Sequence, residues 1–318
     1  MAQKLYQRGF SILLVGRSMN RLHRVQEELE QLPCPTPTPG TSTRTVKVVE
    51  MDFGKIKPES IQALTRAINA LDVALLVNNV GMVLEGGLSY FTERSLEEMA
   101  TLCQVNMKSC VLLSRLVLPK LMARKSGGII NLSSMSGTHP SPLLATYAAT
   151  KSFVHSLSMS LAEETSSLPY IDIQSVTPGF VSTQMATALF GSHAQHGGGR
   201  QVSQQSQQSQ CGGRCRWCQC PPVVSAEECV VSVLRQLGNG QRQTSGHWKH
   251  ALMQLLFSMV PVFILSDISH TCMLHFQQTR QREHGRGGGE RKVEVGSPEE
   301  AEMGSGVGPK ERNELLRH

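Results

Sequence analysis

The sequence predicts an α/β protein built on a doubly wound parallel sheet, and three observations carry that prediction. Five short apolar runs, at 11–15, 46–49, 73–77, 128–132 and 171–176, read as buried strands. Segments of helical periodicity separate them, and strands alternating with helices imply parallel pairing through helical crossovers. Two capping boxes, Ser95 with Glu98 and Ser225 with Glu228, fix helix starts independently of hydropathy.

The elements follow in order. Ala2 to Gly9 reads as a helical segment with Leu5 and Tyr6 turned inward and Gly9 ending it. The strand Ser11-Ile-Leu-Leu-Val-Gly16 leads into a helix whose apolar face is Leu22, Val25, Leu29 and Leu32. After the strand at 46–49, Ile61, Leu64, Ile68 and Leu71 mark a second helix, followed by the strand Val73-Ala-Leu-Leu-Val77. The Ser95 cap opens a helix expected to run through Asn106. Asparagine is unfavourable in a helix interior, so Asn106 points to a polar task there. The strands at 128–132 and 171–176 bracket a helix, and Ser225 opens another.

The chemistry lies in Tyr147-Ala-Ala-Thr-Lys151 and in Ser134, within Asn131-Leu-Ser-Ser-Met-Ser-Gly137. A tyrosine and a lysine at i and i+4 share one helical face. The ammonium is expected to favour the phenolate and lower the tyrosine pKa, so that the phenol exchanges a proton near neutral pH. Ser134, on the lip of a strand, would hydrogen-bond the same substrate oxygen. The set supplies what is needed to protonate a carbonyl oxygen, which points to a ketone or alcohol oxidoreductase.

These motifs occur in the order Asn78-Asn79-Val80-Gly81, Asn106, Ser134, Tyr147/Lys151 and Pro178-Gly179-Phe-Val-Ser-Thr183. In this order the chain resembles the short-chain dehydrogenases/reductases. Leu76-Val-Asn-Asn-Val-Gly-Met82, Met51-Asp-Phe53 and Thr177-Pro178 look most like the group of 17β-hydroxysteroid dehydrogenase type 3 and very-long-chain 3-oxoacyl-CoA reductase. The resemblance covers about residues 1–185 and resumes near 223–276. It implies a Rossmann-like fold and an NADP(H) cofactor. Lys151 would bind the nicotinamide ribose and polarise Tyr147, Ser134 would orient the carbonyl, and Asn106 would hold a water linking Lys151 to solvent. Asp52 would bind the adenine amino group, Asn79 and Gly81 would pass close to the adenine ribose, and Thr183 with Pro178-Gly179 would seat the carboxamide. Arg17, at a strand end where an acidic residue would bind a ribose 2′-hydroxyl, suits a 2′-phosphate instead. Gly179 departs from the group, where tyrosine commonly follows the proline.

A dinucleotide fold needs a glycine-rich turn after its first strand, so that amides at a helix N-terminus reach the pyrophosphate. No such turn is legible. The opening helix reads as the second half of the first helix, with the first strand and the glycine-rich loop lacking. The strands on either side of that missing central strand are expected to have unpaired edges.

With 318 residues, 40% of them hydrophobic, the chain can bury one α/β core with residues to spare. Residues 1–191 form the catalytic domain, and 192–222 read as a low-complexity insertion in the substrate-lid region. Within that insertion Cys211, Cys215, Cys218 and Cys220 lack a clean second ligand pair, and no metal site is assigned. Residues 223–276 are C-terminal helices, and 277–318, rich in Arg, Glu and Gly, read as a disordered tail. Ala251 to Leu265 is strongly apolar yet short of the roughly 20 residues of a span. It reads either as an interfacial, membrane-dipping pair of helices or as a buried helix.

The nine cysteines show no disulfide-like framework and no signal peptide opens the chain, which argues for a reducing compartment. The net charge of +6 comes without an aromatic-interleaved basic patch, which argues against nucleic acid. The resemblance implies a lipophilic substrate, admits a homodimer and places the chain at the endoplasmic reticulum membrane, facing the cytosol. Reduction of a 17-ketosteroid is the first reading and reduction of a very-long-chain 3-oxoacyl-CoA the second. A third is an inactive chain unable to hold its cofactor.

Overall fold

Strand β1 (Ile12–Gly16) pairs in parallel with β2 (Val46–Glu50), in the register Ile12 with Val46 through Gly16 with Glu50. A second parallel sheet runs in the order β3-β4-β5-β8, from β3 (Leu75–Asn78), β4 (Gly127–Leu132), β5 (Ile171–Val176) and β8 (Gln243–Thr244). Two-residue strands β6 (Val181–Ser182) and β7 (Val224–Ser225) pair with each other. This computed structural model describes residues 1–33, 44–190, 223–259, 269–271, 273–274 and 277. The insertion at 192–222 with its cysteines, the tail beyond Gln277 and the part of the apolar stretch after Met259 lie outside them.

The five expected strands are present, each within two residues of its expected start. Helices α2 (Met19–Glu30) and α3 (Pro58–Asn69) carry the expected apolar faces, with Leu29 and Leu64 fully buried. Helix α1 (Ala2–Gln7) buries Leu5 and Tyr6, and Gly9 follows at φ +95°, the left-handed conformation that lets a glycine end a helix. Both capping boxes form, opening α4 (Leu96–Cys103) and α8 (Ala226–Gln236). The expected single helix through Asn106 is instead interrupted. A π turn over Gln104–Lys108 separates α4 from α5 (Ser109–Arg124), and this wider turn carries Asn106.

The sheet is covered on both faces. Ile129 of β4 joins a core with Leu64 and Ile68 of α3, Val117 and Leu121 of α5, and Ala162 of α6 (Ala145–Glu164). Its neighbour Ile130 joins the opposite core, with Leu5 of α1 and Val233 and Leu234 of α8. This alternation along one strand is what a doubly wound sheet requires. Among the described residues no strand pairs with the free side of β1 or of β3. Asn78, at the end of β3, donates to Asn131 Oδ1 at 2.7 Å and Ser114 Oγ at 3.1 Å, while its own Oδ1 is buried without a partner.

Candidate active site

Strand β4 delivers its chain directly into the turn that holds Ser134. Ser133 donates its N–H to Val176 O at 2.8 Å and its hydroxyl to Lys151 O at 2.6 Å, while Met135 N–H donates to Pro178 O at 2.9 Å. Three segments that lie far apart in sequence are thereby stitched around one point. Ser134 Oγ accepts from Ser136 N–H at 3.2 Å and from Ser136 Oγ at 2.8 Å, capping the 3-10 turn Met135–Gly137. Gly137 lies flat on α6. A Cβ there would sit 2.6 Å from the Lys151 carbonyl carbon and from Ser152 N.

Helix α6 presents Tyr147 and Lys151 to this turn, with the Tyr147 hydroxyl beside Ser134. Lys151 is buried. Its Nζ donates to Leu132 O at 2.8 Å and stands 5.8 Å from the Tyr147 ring centre. The expected lowering of the tyrosine pKa is not what this arrangement produces. Burial pushes the phenol up to about 12, against a smaller opposing effect of the Ser134 hydrogen bond. Burial likewise brings Lys151 down to about 8. The physical reason is that both groups lose water while the ammonium is spent on a carbonyl rather than on the phenol.

The sign of the resulting pH effect follows. Between about 10 and 12 the unfolded phenol has released its proton while the folded one retains it, so Tyr147 makes the fold less stable as pH rises through that window. Lys151 acts oppositely between about 8 and 10.5, where the unfolded chain binds the extra proton and stability rises with pH. In an ultraviolet phenolate titration of the ligand-free chain, one of the four tyrosines is expected to ionise near 12, and Tyr147→Phe is expected to remove that step. Ionisation of Tyr147 near 10 would show the phenol to be solvated.

Asn106 is 1% exposed and occupied on both sides of its amide. Oδ1 accepts from Met82 N–H at 2.8 Å, and Nδ2 donates to Met82 O at 3.1 Å and to Thr150 Oγ1 at 3.0 Å. Thr150 in turn donates to Tyr147 O at 2.7 Å. Asn106 therefore ties the loop after β3 to the helix of Tyr147. A Cβ on Gly81 would lie 3.3 Å from Lys151 Nζ, so the glycine lets this loop pass over the lysine.

The remaining residues singled out in the sequence gather along the carboxyl ends of the parallel strands, the edge where open α/β sheets bind ligands. Arg17 is exposed after β1, and Asn79 is exposed after β3. Asp52, beyond β2, accepts from Gly54 N–H at 2.8 Å, closing its own turn. Thr183 Oγ1 accepts from Ala186 N–H at 3.2 Å at the start of α7 (Gln184–Phe190). No glycine-rich strand-to-helix turn occurs among the described residues.

Sequence reasoning missed the supports of the Pro178-Gly179 loop. Helix α9 (Trp248–Met259) places the fully buried His250 with Nε2 3.2 Å from Phe180 O, and Gln254 Nε2 donates to Thr177 O at 2.8 Å and Oγ1 at 2.9 Å. A Cβ on Gly179 would meet His250 Cδ2 at 2.9 Å and Met253 Cε at 3.0 Å. The departure from tyrosine after Pro178 thus has a physical reason, because α9 fills the space. That glycine was the one sequence signal that could have found these contacts. Tyr147 also packs against an apolar cluster of Leu88, Leu143, Leu144 and Leu189. A separate groove of about 1220 Å³, lined by His139, Arg235 and Trp248 among others, touches none of Ser134, Tyr147 and Lys151.

The chain is similar to known proteins. The sequence profile described as short chain dehydrogenase matches residues 1–193. A very-long-chain 3-oxoacyl-CoA reductase-A of Danio rerio is 37% identical over 185 residues, which are 58% of this chain and 54% of that protein. The chain thus spans about half the length of that relative. The very-long-chain 3-oxoacyl-CoA reductase of Rattus norvegicus is 31% identical over 267 residues, covering 83% of this chain and 72% of its own. Among solved structures, a short-chain dehydrogenase from Sphingobium yanoikuyae in complex with NADPH superposes with a TM-score of 0.58 at 21% identity, covering 82% of this chain and 90% of that one. That likeness concerns the fold.

Proposed function

Because the chain belongs to the short-chain dehydrogenase family, we propose that it reduces a ketone on a lipophilic substrate with NADPH. The observation that carries this reading is the convergence of Ser134 at the end of β4 with Tyr147 and the buried Lys151 of α6, with an apolar wall beside the phenol. NADPH, when bound, would supply a hydride to the carbonyl carbon. Tyr147 gives its phenolic proton to the carbonyl oxygen, and Ser134 donates a hydrogen bond to that oxygen and fixes its position. Lys151 and Tyr147 would hold the nicotinamide ribose of the cofactor.

The donor set suits the cofactor. Arg17 offers a guanidinium for a 2′-phosphate, Asp52 a carboxylate for the adenine amino group, and Thr183 a hydroxyl for the carboxamide. Gly81 leaves room above Lys151, and Asn79 stands at the adjoining strand end. Asn106 acts by positioning that loop.

The substrate proposed is a very-long-chain 3-oxoacyl-CoA. Similarity to reductases named for that substrate favours it over the 17-ketosteroid placed first on sequence alone. We place the chain at the cytosolic side of the endoplasmic reticulum membrane, where such acyl chains would be met.

NADPH oxidation by one preparation of the 318-residue chain, supplied in turn with a long-chain 3-oxoacyl-CoA and a 17-ketosteroid, tests the reading. Turnover is expected with the thioester and not with the steroid. Calorimetry with NADPH alone separates failure to hold the cofactor, which would support an inactive chain, from failure to accept either substrate.

A further inference from the structure

Helix α9 is built inside out. At about 100° per residue, Trp248, Leu252, Leu255, Leu256 and Met259 fall within one arc of about 100°, and these five are the exposed large apolar side chains of the helix. Their exposures are 66%, 48%, 57%, 53% and 74%. The opposite side holds His250 and Gln254, which bond inward to Phe180 and Thr177, together with Met253 against Gly179. A soluble amphipathic helix turns its apolar side to the core and its polar side to water. Here the anchored side carries His250 and Gln254 beside Met253 and the half-buried Phe257, so the helix cannot roll to bury its leucines without breaking the bonds that support the Thr177–Phe180 loop.

We propose that the outer face of α9 docks on a lipid surface, lying in the boundary between headgroups and acyl chains. Three features select lipid over another protein. Five side chains on one helix fall well short of the roughly 20–30 residues a side of a standard protein interface. From Ala251 to Leu265 the sequence carries no charged residue, so the apolar character continues past the described helix end. At the other end Lys249 Nζ stands 5.9 Å from the Trp248 ring, a pairing of indole and ammonium suited to the membrane–water boundary. No described helix is long and apolar enough to cross a membrane, and α9, twelve residues long, is suited to lying along one. This deepens the membrane placement above, but it names a surface rather than an organelle and does not depend on the reaction.

Flotation of the full chain with phosphatidylcholine vesicles tests it. The wild type is expected to float, and the double variant Leu252→Gln/Leu255→Gln to lose at least about tenfold in bound fraction, since binding scales with buried apolar area. Leu96→Gln, at a leucine 82% exposed on α4, is expected to float like the wild type. In a Trp217→Phe background Trp248 is the lone indole, and its emission is expected to shift to the blue with vesicles and to be quenched by bromine-labelled acyl chains. Circular dichroism of each variant shows that it is folded. Three results would overturn the proposal: folded wild type that does not float, equal flotation of the double variant, or a vesicle-free dimer that the double variant abolishes. The last would assign the face to a second copy of the chain. Adding anionic lipid separates apolar docking, which persists without it, from attraction to charge.

Discussion

Tyr147→Phe is expected to lower ketone reduction by about 10²- to 10⁴-fold, the usual contribution of a positioned general acid, with NADPH binding retained. The substitution removes one oxygen and leaves the ring on Leu88, Leu143, Leu144 and Leu189, so the site keeps its shape. What goes is the proton donor beside Ser134. Ser134 remains, yet a hydroxyl of far higher pKa cannot replace a phenol. Loss of one buried hydrogen bond should change stability by only about 1 kcal/mol, so a fall in turnover would not reflect unfolding. Steady-state turnover alongside calorimetric NADPH binding checks this. Turnover within about tenfold of the wild type (about 1.4 kcal/mol in barrier) would place the proton donor elsewhere.

Gly137→Ala is expected to destabilise the chain by about 1–3 kcal/mol and to impair turnover with it. The added methyl would stand 2.6 Å from two backbone atoms of α6 and 3.0 Å from Lys151 Cβ. Backbone cannot rotate aside as a side-chain end can, so the Met135–Gly137 turn must lift from the helix. That movement draws Ser134 away from the Tyr147 hydroxyl. Gly16→Ala is the control, because its methyl would meet only the Leu22 side chain, Cδ2 at 3.4 Å and Cγ at 3.9 Å. Chemical denaturation and turnover measured together decide the matter. A Gly137→Ala chain as stable and active as Gly16→Ala would mean that the turn does not rest on α6 in solution.

Much of this was legible in the sequence because it depends on local pattern. Apolar runs and helical spacing set the strands and helices within a residue or two, since burying one face of each element leaves the chain little choice. The i, i+4 spacing put Tyr147 and Lys151 on one face, and the strand end before Ser134 put that hydroxyl at the carboxyl edge of the sheet. Ser95 and Ser225 capped their helices because the partner of each is three residues away.

What the sequence left open depends on partners distant along the chain. Asn106 finds Thr150 forty-four residues on, and β8 exists only because Thr244 pairs with Val176. The direction of the Tyr147 shift turned on burial and on where the Lys151 ammonium was spent, and neither is written in spacing. The apolar stretch at 251 could be core or interface by composition alone. Gly179, His250 and Gln254 together turn its polar side inward, and only the packing of α9 on the Thr177–Phe180 loop could decide which side faces out. The sequence by itself indicated the five main strands, the helices between them and the candidate trio Ser134, Tyr147 and Lys151, because their signals are short-range. Tertiary structure alone decided charge states, supports and the exposed face, because desolvation and contact are properties of neighbours that folding brings together.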